Sequence, residues 1–238
     1  NGTTSGNARL TLGAWVNDGL NTQKGLSYFS QTGVTASNVQ TYIATNAVLP
    51  VVANGALQHA AFIDTPDASG FTINPNTDMG TTIPLLFCLK FSAGIDVALF
   101  DATFPTTGNY VEAGLGFQPN FGMLFSLSGP NAARDTYTAT AGAGLAITAF
   151  DETSIYSEGY TDADAVPTSI TKSHADSDLS VFSPDGSSIN VRAASYTLDA
   201  GGWTFPLTTN PSVSINAFGL AINGLGAVYT ETVNGGAT

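Results

Sequence analysis

The chain has 238 residues, of which 43% are hydrophobic and only 10% are charged. This length and apolar content are enough to bury a full core, so an intrinsically disordered chain is excluded. The 18 acidic and 6 basic residues give a net charge of −12. That charge argues against nucleic acid or an acidic membrane surface as a partner, because phosphates are bound by concentrated Lys and Arg. No apolar stretch reaches the ~18 residues of a transmembrane helix.

Short runs of β-branched and aromatic residues, separated by Gly, Asn, Asp and Pro, follow one another along the chain and predict β-strands. Residues 189–193 and 213–217 alternate between apolar and polar side chains, which indicates strands with one buried face. We therefore expect an all-β fold, an antiparallel β-sandwich of jelly-roll-like type. The predicted strands are residues 8–15, 41–52, 57–63, 70–73, 83–91, 95–100, 110–115, 121–127, 136–140, 145–150, 188–198, 203–207, 213–222 and 227–233.

A set of short segments occurs twice, with the second copy 131 to 135 positions after the first. This nearly constant spacing predicts two related β-sandwich units that arose by internal duplication, residues 1–105 and residues 106–238. A duplicated β-unit favours a scaffold or a binding surface, because an active site rarely needs two copies of its framework. The matching segments are residues 10–15 and 145–150, 60–62 and 193–196, 67–73 and 199–205, and 87–89 and 218–220.

The first copy is short at its N-terminus. Residues 116–125 (GFQPNFGMLF) form a predicted opening strand of the second unit, and no counterpart precedes Leu10. Either residues before Asn1 are missing from this sequence, or a neighbouring subunit supplies the strand. An incomplete sheet has an unpaired edge, which proteins normally pair or cover. The pattern therefore favours a protein that assembles.

Acidic residues are concentrated in residues 151–185, which contain eight of the eighteen. The pairs Asp162 with Asp164 and Asp176 with Asp178 have a spacing that allows two carboxylates to reach one Ca²⁺ from a loop. The full EF-hand pattern is absent, and the competing interpretation is a solvated loop facing water or a partner. No other cofactor is indicated.

Aromatic residues in the same segment are candidates for a surface contact. Tyr156 and Tyr160 lie in the acidic segment, where their rings could pack against a glycan or a protein partner. Trp15 and Trp203 align with Phe150 and Phe71 of the other copy. Because each Trp is exchanged for Phe in the other copy, we expect Trp15 and Trp203 to pack in the core.

The sequence contains no convincing catalytic constellation. Ser173, His174 and Asp176 are too close in the chain to converge as a triad, and the lone Cys88 lies in an apolar run that indicates a buried thiol. A glycosidase needs only two carboxylates, and Glu112 lies in a predicted strand without an evident partner. We expect a protein that is not an enzyme.

The opening strand at residues 116–125 and the closing pair at residues 193–205 and 217–221 resemble uncharacterised duplicated β-sandwich domains of structural proteins in tailed bacteriophages. The similarity extends over residues 105–225 and, more weakly, over residues 8–92. Asn120 replaces the acidic residue usual in those domains. The resemblance implies a location in the virion and a role without catalysis.

The function expected from these features is that of a virion structural protein: a capsid decoration, head-fibre or tail-associated component. Its partners would be capsid or tail subunits and further copies of itself. One alternative is an extracellular carbohydrate- or receptor-binding module in which the acidic segment holds Ca²⁺. The others are a subunit of a cell-surface filament and a glycan hydrolase on a sandwich fold.

Overall fold

The computed structural model describes residues 7–18, 20–31, 39–53, 56–64, 70–75, 91, 93–128, 133–136, 138–140, 142–163, 170–184 and 186–226. These residues contain β-strands and no helix, and every strand pair is antiparallel. The predicted all-β, antiparallel fold is confirmed.

The described part of the chain forms nineteen strands. In chain order they are β1 (Asn7–Val16), β2 (Thr22–Gln31), β3 (Val39–Ala44), β4 (Val51–Ala53), β5 (Ala56–His59), β6 (Ala61–Ile63), β7 (Ile73–Pro75), β8 (Asp96–Phe104), β9 (Tyr110–Ala113), β10 (Phe121–Ser128), β11 (Thr138–Thr140), β12 (Gly142–Asp151), β13 (Ile155–Ala163), β14 (Ile170–Asp176), β15 (Leu179–Phe182), β16 (Ile189–Ala193), β17 (Thr197–Asp199), β18 (Gly202–Phe205) and β19 (Ile215–Asn223).

Two large sheets pack face to face. The central sheet has the order β14-β13-β12-β10-β19-β8, and the front sheet has the order β1-β2-β3-β11. An apolar cluster between them contains Leu26 and Ile43 of the front sheet and Leu127, Leu145 and Phe218 of the central sheet. Burial of these side chains from both sheets forms the inner core of the sandwich.

The other face of each sheet is covered as well. The β15-β16 hairpin and the β17-β18-β9 sheet pack on the central sheet around Leu124, Phe150, Leu179 and Trp203. Val52 of β4 and Phe29 of β2 share a smaller cluster on the outside of the front sheet. Because both faces of the central sheet are covered, residues on both faces of its strands β12 and β19 are buried.

Several predicted strands are wrong as single elements. Predicted strand 41–52 ends at Ala44 and resumes at Val51, 57–63 is interrupted at Ala60, and 188–198 is divided into β16 and β17. At each break the chain passes from one sheet to another, which strand propensity does not reveal. Predicted strands 83–91 and 227–233 lie outside the described residues, apart from Phe91 itself, which is not in a strand.

The interpretation of residues 151–185 as a solvated loop is also wrong. Strands β13, β14 and β15 occupy most of this segment, and Ile155, Ser157 and Thr161 are buried. Serine and threonine in β13 fit a buried strand because their hydroxyls find partners, as in the 2.7 Å contact between Ser157 Oγ and Thr148 Oγ1.

Hairpins follow the same order in the two halves of the chain. The pairs β1-β2-β3, β4-β5 and β6-β7 are succeeded later by β12-β13-β14, β15-β16 and β17-β18. The same pair of aligned positions is in contact in each half of the chain. The ring centroids of Trp15 and Phe71 are 5.6 Å apart, and those of the aligned residues Phe150 and Trp203 are 4.7 Å apart.

Strand pairing crosses the predicted boundary at residue 105. Strand β8, which precedes the boundary, pairs with β19 along nine residues from Asp96 to Phe104. Strand β11, which follows it, pairs with β3 of the front sheet. Hydrogen bonds therefore join the two predicted units.

Candidate functional site

The structure describes one member of the first predicted calcium pair. Asp162 lies on β13 with 3% of its surface exposed, and one carboxylate oxygen accepts a hydrogen bond from Ser30 Oγ on β2. Asp164 lies outside the described residues. Asp162 therefore links the central sheet to the front sheet.

The second predicted pair is bound by an arginine. Arg192 Nε donates to Asp178 Oδ2 at 2.6 Å, and Arg192 Nη2 lies 3.8 Å from Asp176 Oδ1. Asp176 also accepts from Ser180 Oγ at 2.8 Å. The described residues contain no group of three or more His, Cys, Asp or Glu side chains placed to hold a metal ion. The calcium hypothesis stays a prediction.

The two tyrosines proposed for a surface contact lie on β13, and both are partly exposed. Tyr160 packs on the cluster between the sheets, and its ring meets Tyr28 edge-on with centroids 6.0 Å apart. Tyr160 thus has one side in the core and another available to a partner.

A shallow cavity of about 500 Å³ brings together several residues singled out by the sequence. Its lining includes Ile147, Glu158, Tyr160 and Ser173. The His174 ring stacks on Phe182 with centroids 4.2 Å apart. Neighbouring residues of a strand point to opposite faces, so the side chains of Ser173 and His174 diverge and do not form a nucleophile–base pair. The cavity offers an apolar floor with a carboxylate and a phenol at its rim.

The glutamate considered for glycosidase chemistry lies on β9. Tyr110 donates a hydrogen bond from its hydroxyl to Glu112 Oε2 at 3.1 Å. Burial raises the pKa of Glu112, and the charge of Asp101 acts in the same direction. His59 lies on β5, and Cys88 lies outside the described residues.

A charged cluster that the sequence did not indicate connects the two sheets. Lys24 Nζ of β2 lies 2.8 Å from Asp101 Oδ2 of β8, and Arg134 Nε lies 3.1 Å from Asp101 Oδ1. Arg134 also donates to Asn216 Oδ1 at 2.7 Å and to Ala217 O at 2.9 Å. These three charged residues have a structural role, because their bonds tie strands of different sheets together.

Comparison of the chain with models of protein families, with curated proteins and with solved structures finds no match in any of the three. Within the described ranges, no helix is both long enough and apolar enough to span a membrane.

The tyrosines make the folded state sensitive to alkali. Burial raises the pKa of Tyr196 to about 12, with a further contribution from Asp151, and burial also raises the pKa of Tyr28 and Tyr110. A phenol with a raised pKa favours folding fully below its unfolded pKa of about 10, and this contribution is lost as the pH rises from about 10 towards 12.

We therefore expect the free energy of unfolding in urea to fall steadily over that alkaline interval. The Tyr196→Phe variant should be less stable at neutral pH, because it lacks the hydroxyl that donates to Ser154 O at 3.1 Å. It should lose less stability than the wild type as the pH rises. Equal slopes for the two proteins would contradict the assignment to Tyr196.

Proposed function

We propose that the chain is a non-enzymatic structural protein of a bacteriophage virion, acting through protein–protein assembly as a capsid decoration, head-fibre or tail-associated component. The observation that carries this proposal is the repeated order of hairpins, with the contacts Trp15–Phe71 and Phe150–Trp203 at aligned positions. Two fused copies of one sandwich unit make a rigid scaffold with several faces for neighbours.

Internal duplication is part of the proposal, and the glycines support it. A side chain at Gly25 would meet Pro50 Cδ at 2.6 Å, and one at Gly159 would meet Phe182 Cδ2 at 2.7 Å. Gly25 lies on β2 and Gly159 lies on β13, which are the middle strands of the β1-β2-β3 and β12-β13-β14 meanders. At each glycine another segment of the chain comes too close to leave room for a side chain. The units would be residues 1–105 and 106–238, fused by the β8–β19 pairing.

The use of polar residues also supports a scaffold. Asp162, Asp178 and Arg134, each buried or mostly buried, hold strands together through hydrogen bonds. A low charged fraction of 10% suits extended contacts between subunits, because charged residues are depleted in the cores of interfaces.

A second candidate is an extracellular carbohydrate- or receptor-binding module, which the cavity at Glu158, Tyr160 and Ser173 favours. An aromatic ring beside polar rim groups is a common arrangement for binding a sugar. Glycan-array binding that is lost in Tyr160→Ala and retained in Tyr156→Ala would support this candidate. Absence of binding in the wild type would count against it.

The proposed function is tested by the protein composition of phage particles purified from the source of the chain. We expect mass spectrometry to detect its peptides at a fixed, stoichiometric copy number per particle. Recovery of the chain only in the host cell envelope would overturn the proposal and favour the cell-surface filament.

A further inference from the structure

The outer strands of the two large sheets differ in how their open edges are protected. Strand β14 carries Lys172, His174 and Asp176. Strand β8 is covered by Arg134, whose guanidinium donates to Ala102 O. Strand β11 is only three residues long. Charges, coverage and short length are the means by which proteins prevent edges from pairing.

Strand β1 has less of this protection than the other three outer strands. It is ten residues long, about twice the usual strand length. Its sequence contains no proline and no acidic residue, and Arg9 is its only charge in a chain with a net charge of −12. Leu10 is 37% exposed. Among the described residues, only β2 pairs with β1, so within that part of the chain the N–H and C=O groups on the other edge of β1 have no strand beside them.

Strand β12 corresponds to β1 in the β12-β13-β14 meander, and it has a neighbour on the edge that faces away from its hairpin partner. Strand β12 pairs with β13 on one edge and with β10 on the other, from Phe121↔Asp151 to Ser128↔Gly144. Residues 10–15 of β1 align with residues 145–150 of β12. By this alignment, the free edge of β1 is the place that β10 fills beside β12.

We propose that β1 pairs antiparallel with β1 of a second copy of this chain, about a two-fold axis perpendicular to the sheet. The inference rests on the proposed function, since it names the surface through which the structural protein assembles. A second copy suits this edge because its β1 is equally free of negative charge, whereas the rest of the chain would repel a close copy.

The two-fold axis determines the geometry. A central residue of β1 lies opposite itself, and the front sheets of the two copies join into one continuous eight-stranded sheet. Pairing over the length of β1 closes about ten backbone hydrogen bonds. Closed two-fold dimers are the commonest form of homo-oligomer.

The test compares the solution mass of wild-type protein with that of two variants that add the same charge. Leu10→Lys adds a cation to the β1 edge, and Val111→Lys adds one to β9, where Val111 is 55% exposed. We expect Leu10→Lys to be monomeric and Val111→Lys to keep the wild-type mass, with circular dichroism spectra unchanged in both. Wild-type mass in Leu10→Lys, or a monomeric wild type, would overturn the inference.

A cysteine scan tests the pairing independently of charge. Single cysteines are placed in turn at positions 9 to 12 and 14 in a Cys88→Ser background, which removes the only native cysteine; Gly13 is left out because a side chain there would collide with the backbone of Val48. Mild oxidation should give a covalent dimer at the central residue and leave its two neighbours unlinked. A scan without any covalent dimer would overturn the inference, while particle composition would still decide the proposed function separately.

Discussion

Replacement of Trp203 by alanine should lower the free energy of unfolding by about 3–5 kcal/mol, the usual loss for a large buried aromatic residue. Trp203 has no exposed surface and lies on β18 against the central sheet. Its ring centroid is 5.3 Å from that of Phe100 and 4.7 Å from that of Phe150. The substitution leaves a cavity between the β17-β18-β9 sheet and the central sheet.

Two control variants, measured by the same urea unfolding, test whether the loss of stability follows the size and burial of the side chain that is removed. Trp203→Phe should lose roughly half as much, because a ring still fills most of the space. Trp15→Ala should also lose less, since Trp15 is only partly buried. Equal losses for Trp203→Ala and Trp15→Ala would contradict the explanation that the loss follows the burial of the side chain.

Replacement of Arg134 by methionine should cost about 2–3 kcal/mol, because hydrogen bonds from a charged donor are lost and carbonyls are left unpaired. The guanidinium donates to Asn216 Oδ1, Ala217 O and Ala102 O. Its side chain is 19% exposed, and that of Asp101 is 38% exposed. Solvent therefore screens the ion pair, and most of the loss comes from the hydrogen bonds across the sheet edge.

Arg192→Met is the matched control for this substitution. Arg192 also pairs with aspartates, but its side chain is 43% exposed, so its removal should change the unfolding free energy much less. If Arg192→Met lost as much unfolding free energy as Arg134→Met, the difference in solvent exposure would not explain the contributions of the two arginines to stability. Thermal and urea unfolding of both variants would measure the difference.

The fold class could be predicted because strand signals are local. The alternation in residues 213–217 predicts a strand without reference to any neighbour, and β19 begins at Ile215. Strand β2 was missed because polar residues such as Gln23, Lys24 and Ser27 interrupt its apolar pattern, although all three are buried. Their burial is satisfied by distant partners, for example Ile63 O for Gln23 and Asp101 for Lys24.

The role of the acidic residues was harder to predict for a related reason. The sequence around Asp151 has the composition of a solvated segment. Asp151 itself is buried, and it accepts hydrogen bonds from Thr153 N and Ser154 N in a tight turn. One carboxylate oxygen of Asp162 accepts a hydrogen bond from Ser30, 132 positions away. A count of nearby charges cannot reveal a partner supplied by another sheet.

The prediction of an incomplete first unit needed only sequence comparison, because the opening strand has no earlier counterpart. The arrangement of the edges needed the structure. Only the sheet order of the described strands identifies β1 as an outer strand and β12 as an inner one. The proposed pairing of β1 with a second copy combines that sequence prediction with the strand edge that the structure describes.

The measurement that tests this account most directly is the mass of the purified wild-type chain by light scattering over a wide range of concentrations. The account predicts a closed assembly with a fixed mass that is an even multiple of the 24.4 kDa chain. A monomer at every concentration would contradict it, and a mass that grows without limit would indicate a filament.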